Sequence, residues 1–251
     1  MLESVIVAFS MYSKLPMPRI EWNKKNMRYA LAFFPLVGVV IGAAQYLWLW
    51  LCRTLEFGGC FQACGAVLLP IFITGGIHMD GYLDTIDALS SYAEKEKRLE
   101  ILKDSNSGAF AIIYGGAYML ASFGIWSEMN ARSILLVEIG YVVSRTLSAL
   151  SVTTFPLAKN TGLAATFQDG SNKKQVKGTM LAAFVAECLL LLWCDRFGGG
   201  LVIVAALVSF GFHAWICKKK FGGITGDLAG FFLQVCELAI LFVGMMVGKI
   251  R

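Results

Sequence analysis

The segment Thr74 to Leu89, TGGIHMDGYLDTIDAL, concentrates the side chains best suited to chemistry. Asp80, Asp84 and Asp87 recur at i, i+4 and i+7, so on an α-helix they project within about 60° of one another. Carboxylates that close repel unless a cation sits among them. Hard oxygen donors suit Mg²⁺, with Mn²⁺ the alternative, and Mg²⁺ commonly bridges one or two carboxylates to a substrate phosphate. Gly75, Gly76 and Gly81 stand among them and would let the backbone approach a ligand closely. The competing reading is a solvated acidic face beside an apolar helix.

Two further motifs sit at the mouths of apolar runs. Lys103-Asp104-Ser105 is followed by Ser107-Gly108. Free amides at a helix start, small hydroxyls and a lysine can hold a phosphate; plain capping by Asp104 or Ser107 is the other reading. In KKKFGGITGDLAG, Gly222, Gly223, Gly226 and Gly230 surround Thr225 and Asp227. These residues form either a turn before close helix packing or a bed for a phosphate or nucleotide, with Asp227 as another metal ligand. Inside apolar runs lie Glu138, Arg145, Glu187 and Glu237, which lipid makes expensive and function usually explains. Arg145 either reaches an anion at the near end of its helix, snorkels, or pairs with Glu138.

The elements that must position these residues follow from composition. Of 251 residues, 57% are hydrophobic and 16% charged, with a mean hydropathy of +0.65. A soluble domain carries roughly 45–50% apolar and about 25% charged residues, so lipid is the natural solvent for the excess. Seven runs approach or reach the roughly 17–25 residues that cross a bilayer: 30–52, 62–77, 108–126, 133–151, 178–194, 201–217 and 228–247. The second is the weakest, with 16 residues and Pro70, Gly75 and Gly76 in or beside it. If the N-terminus is cytoplasmic and the runs alternate, 16 Lys and Arg fall inside and 5 outside, with Arg145 in a span. That bias supports the direction as well as the number of spans. MLESVIVAFSMYSKL at the start reads as an interfacial or half-buried helix and not a signal peptide. The chain is therefore expected to be one all-α, polytopic membrane domain over residues 1–251, in the cell (inner) membrane, with chemistry on cytoplasmic loops 78–107, 152–177 and 218–227. Seven scattered cysteines without a CxxC pair read as buried thiols, and two histidines exclude a histidine-rich metal centre. No stretch reads as a nucleic-acid patch; Lys218 to Lys220 suit stop-transfer.

GGIHMDGYLDTIDAL, RLEILKDSNSGAF, YSKLPMP, FPLVGVVIG and GGITGDLAG together resemble the cobalamin synthase (adenosylcobinamide-GDP ribazoletransferase) family, in the same order, from about Phe9 to Leu241. Ala88 stands where that family commonly has glycine. The resemblance implies that a hydroxyl of α-ribazole, or of its 5′-phosphate, attacks adenosylcobinamide-GDP and releases GMP. It implies Mg²⁺ on Asp80 and Asp84, with Asp87 as a further ligand, and a proton taken by a carboxylate or by His78. Lys103 and Arg145 would balance phosphate charge. A CDP-alcohol-type transferase is the neighbouring reading, but its DGxxAR pattern is missing after Asp80-Gly81. A transporter would instead use Glu138, Glu187 and Glu237. Homo-oligomerisation stays open.

Overall fold

The structure is a computed structural model and describes residues 1–104 and 106–250. Twelve α-helices occur among the described residues, and no strand: α1 (Leu2–Tyr12), α2 (Lys24–Met27), α3 (Phe34–Thr54), α4 (Gly59–Thr74), α5 (Ile77–Ser90), α6 (Lys95–Ile101), α7 (Ala109–Ser127), α8 (Ala131–Thr154), α9 (Leu163–Gly170), α10 (Lys173–Cys194), α11 (Arg196–Ile216) and α12 (Gly226–Ile250). Six continuous helical stretches, those containing α3, α7, α8, α10, α11 and α12, are long and apolar enough to cross a membrane. The seventh expected run is the exception. That run, 62–77, forms most of α4 and ends at the first residue of α5, and the two helices meet at 95°.

The break has a local cause. Gly75 and Gly76 both take left-handed backbone angles, with φ of 66° and 80°, a region open to glycine and costly for other residues. Thr74 Oγ1 donates back to the Pro70 carbonyl at 2.7 Å, and the amide of Lys14 donates to the carbonyl of Ile73 at 2.7 Å. A bend of this size between two apolar helices is the geometry of a broken span or a re-entrant loop. The sequence run ended at Ile77; the chain turns there because the helix cannot continue through two such glycines.

Helix α8 is the centre of the bundle. In its most apolar window 89% of residues are buried, against 17% in α7. It packs against α3, α10 and α12. A Cβ on Gly38 would lie 2.5 Å from the Tyr141 carbonyl oxygen, and one on Gly42 would lie 3.1 Å from that of Glu138. The i,i+4 glycines of FPLVGVVIG thus let α3 and α8 approach closely, the small-residue packing of membrane helices. Outward faces carry the apolar belt: Leu47 and Trp50 on α3, Ile112 and Leu120 on α7, Val185 and Leu189 on α10, Val204 and Val208 on α11. Helix α1 packs against the start of α3 with Val7 and Ala8 fully buried and Leu2 exposed, a half-buried helix in keeping with the sequence.

Candidate active site

Three segments remote in sequence meet at one end of the bundle around a cavity of about 410 Å³. Helix α5 contributes His78 and Asp80, the α8–α9 connection contributes Lys159 and Thr161, and the start of α12 contributes Thr225 and Asp227. That volume lies within the roughly 300–1,000 Å³ of small-molecule sites.

Each piece is held by backbone geometry. Helix α5 crosses α12 where both lack side chains: a Cβ on Gly81 would lie 2.7 Å from the Asp227 carbonyl oxygen, and one on Gly230 would lie 3.1 Å from that of His78. This crossing brings Asp80 and Asp227 to one cavity. Thr225 Oγ1 accepts from the amide of Leu228 at 3.2 Å, capping α12, and lies 3.2 Å from Asp227 Oδ2 as donor. Lys159 arrives by a long-range contact. An isolated parallel bridge joins Leu157 to Ile224; the Ala158 amide donates to the Ile224 carbonyl at 3.0 Å, and the Ile224 amide to that of Pro156 at 2.8 Å. Two residues later, Lys159 stands on the cavity wall with its charge acting on Asp227.

The electrostatics are those of a site short of positive charge. Burial, then the charges of Asp80, Asp227 and Asp87, push the Asp84 carboxyl from 3.8 up to about 7. Burial first and Arg145 second hold His78 well below the ordinary histidine value, which keeps its ring neutral. A divalent cation fits this donor set, since it would relieve the repulsion acting on Asp84. Among the described residues no three His, Cys, Asp or Glu side chains converge as a metal site by themselves. Of the four carboxylates named from the sequence, Asp80 and Asp227 line the cavity, while Asp87 is engaged by the amides at the start of α7. Two carboxylates completed by substrate phosphate oxygens remain the arrangement that suits Mg²⁺.

These shifts carry a stability consequence. Between about 4 and 7 the folded protein keeps a proton on Asp84 that the unfolded chain has released. Without divalent cations the melting temperature should therefore fall as pH rises from about 4 to 7 and level off above it, and Asp84→Asn should flatten that fall. Added Mg²⁺ should raise the wild-type value most above pH 7. A scan showing stability rising from pH 5 to 8, with no Mg²⁺ effect, would contradict this picture.

Other expected residues take different places. Asp87 caps α7, its Oδ1 accepting from the Ala111 amide at 2.9 Å and its Oδ2 from that of Gly108. The capping role weighed for Asp104 and Ser107 belongs to Asp87, 21 residues before Gly108. Asp104 instead accepts from Asn106, through the backbone amide at 3.0 Å and the side chain at 2.9 Å, which holds its carboxyl below the usual range. Lys103 and Ser107 are exposed and off the cavity wall, and Ser105 lies outside the described residues. Gly222 (φ 74°) turns the chain, and Gly223 packs on the 156–158 backbone, where a Cβ would meet the Ala158 nitrogen at 2.4 Å. Both position the loop, and neither lines the cavity; Thr225 and Gly226 do.

Arg145 is fully buried and pairs with Glu237 of α12, not with Glu138. Its Nη1 also donates to the Tyr141 carbonyl at 3.1 Å and to Ser144 Oγ at 2.9 Å. Glu187 accepts from Thr146 Oγ1 at 2.6 Å, and Glu138 has no hydrogen-bond partner among the described residues. Each glutamate thus has its own surroundings and none lies on the large cavity. Lys159 was the residue that sequence reasoning passed over. The available signal was weak: Lys159-Asn160-Thr161-Gly162 is a polar, glycine-ended turn between apolar runs.

Comparison with known proteins supplies the context for this arrangement. The family model for cobalamin-5-phosphate synthase matches residues 4–245. An adenosylcobinamide-GDP ribazoletransferase of Lachnoclostridium phytofermentans is 46% identical over 237 residues, covering 94% of this chain and 91% of that protein. Proteins of the same name from Geobacillus thermodenitrificans (32% over 243 residues, 91% and 90% covered) and Clostridium botulinum strain Alaska E43 (29% over 245 residues, 96% of each) are also similar. No solved structure matches. With its carboxylates, glycine crossings and spans in a chain matched almost from end to end, this protein belongs to the cobalamin-5-phosphate synthase family.

Proposed function

We propose that the protein joins α-ribazole, or its 5′-phosphate, to adenosylcobinamide-GDP and releases GMP, completing the nucleotide loop of cobalamin. The observation that carries this reading is one cavity bordered by Asp80, Asp227, Thr225 and Lys159, drawn from three distant segments. The ribazole hydroxyl oxygen forms a bond to the phosphorus on the cobinamide side of the diphosphate. The bond from that phosphorus to the bridging oxygen breaks, and its electron pair leaves with GMP. The hydroxyl proton passes to a wall carboxylate, since His78, buried beside Arg145, is a weak acceptor. Lys159 stands where it can hold a phosphate oxygen. Asp80 and Asp227, the two carboxylates on the cavity, would hold Mg²⁺, which would supply neutralisation of diphosphate charge. The fold's part is positioning, because phosphoryl transfer gains most from an aligned nucleophile and fixed charges.

The test is direct. Protein purified in detergent, given adenosylcobinamide-GDP, α-ribazole and Mg²⁺, should release GMP together with a corrinoid carrying the ribazole base. No GMP under these conditions, or equal GMP without ribazole, would refute the transfer.

The 16-to-5 Lys and Arg distribution supports a cytoplasmic site end of the bundle, in the inner membrane of a bacterial cell. Single cysteines introduced at Ser91 and Lys174 in a thiol-free background should resist an impermeant reagent in intact cells and react after permeabilisation. Labelling from outside would reverse the orientation.

A further inference from the structure

A second, smaller chamber of about 30 Å³ lies inside the bundle, between α4, α5, α7, α8 and α12. Its walls carry Ser122 of α7, Tyr141 and Arg145 of α8, and Gln234 and Glu237 of α12. A polar lining inside an apolar bundle is costly unless its groups find partners. Arg145 uses one nitrogen, Nη1, for Glu237, Ser144 and the Tyr141 carbonyl. Its Nε and Nη2 are buried and have no hydrogen-bond partner among the described residues. The same holds for Nε2 of His78, a residue only 4% exposed. Of the described residues, His78 alone lines both this chamber and the large cavity.

We infer that the chamber binds ordered water, which joins Arg145 to His78 and sets the angle of the imidazole on the wall of the large cavity. Size and charge both select this ligand. A bound water needs roughly 10–15 Å³ of such space and two to four polar partners, so the chamber has room for about two. An anion finds the Arg145 charge already answered by Glu237. Water adds no charge, can accept from the free Arg145 nitrogens, and can either donate to Nε2 of His78 or accept from it. Arg145 does not line the large cavity, so it acts as a positioning residue, through water and His78, and not as a phosphate clamp.

The protein has two histidines, so nitrogen-15 histidine labelling in nanodiscs gives the spectrum of two rings, and His78→Gln shows which signals are its own. Nε2 of His78 should carry the shift of a hydrogen-bonded nitrogen and a cross-peak to water. Ser122→Val adds apolar volume to the chamber wall; it should move that nitrogen to its unbonded value and abolish the cross-peak. The same variant should lower kcat for GMP release about tenfold and leave KM for both substrates within about twofold, as a misaligned wall group does. That rate effect rests on the transfer reading above, whereas the spectrum does not. Ser122→Ala keeps the space, and should retain the cross-peak and most of the rate. A merely structural role for the chamber would lower yield and melting temperature without moving Nε2. An unbonded Nε2, or no water cross-peak, in the wild-type protein overturns the inference even if Ser122→Val fails to fold. A folded Ser122→Val with nitrogen shift and kcat both at wild-type values overturns it as well. No GMP release from the wild-type protein, with the cross-peak present, removes the transfer reading and leaves the water site standing.

Discussion

Asp80→Asn is expected to lower GMP release by about 10³-fold, the scale of removing one preorganised electrostatic group from a phosphoryl-transfer site. Asp80 is exposed to the cavity, so the amide keeps the volume and the fold while removing charge. Asp227→Asn should cost a similar factor. Both side chains line one cavity, and the Asp227 carbonyl packs on Gly81, next to Asp80. The double substitution should accordingly lose little more than either single one, because a site broken once has little left to lose. Membrane yield and melting temperature should stay near wild type. Losses that simply multiply, or a single variant within a few-fold of wild type, would separate Asp227 from the reacting centre and leave it as part of the helix start that Thr225 caps.

Lys159→Met is expected to reduce kcat/KM by about 10²-fold, with Lys159→Arg recovering part of it, since the charge matters and its shape less so. The paired control is Lys103→Met. Lys103 was the lysine favoured by the sequence, yet it is exposed and off the cavity wall, so its removal should change the rate little. Steady-state GMP release for the two variants side by side distinguishes them. A large loss at Lys103 with none at Lys159 would mean that the loop ahead of α7 closes over the substrate and supplies the charge.

What was legible along the chain was what depends on neighbours in sequence. The seven apolar runs, the Lys and Arg bias and the run of aspartates could be read from spacing, because span length and helix periodicity are local quantities. Pro70 and the Gly75-Gly76 pair marked the second run as abnormal, and the 95° turn follows from those residues. The family resemblance was legible for the same reason, its motifs being contiguous.

Contacts between distant segments were not legible. Arg145 had Glu138 two turns away as its nearest acidic candidate, but helix packing gave it Glu237, 92 residues on. Asp87 looked like a third metal ligand until the start of α7 was placed against it, offering unpaired amides to both oxygens. Lys159 had no motif at all; it belongs to the site because the Leu157–Ile224 bridge pins its loop beside Asp227. The sequence by itself determined the apolar spans and the carboxylates available between them. Only the tertiary structure decided which of those charges share a cavity and which are consumed as caps or buried pairs. The physical reason is that helical spacing sets the face a side chain occupies, whereas its partner is set by which helices can approach, and here glycines at the α3–α8 and α5–α12 crossings make that choice.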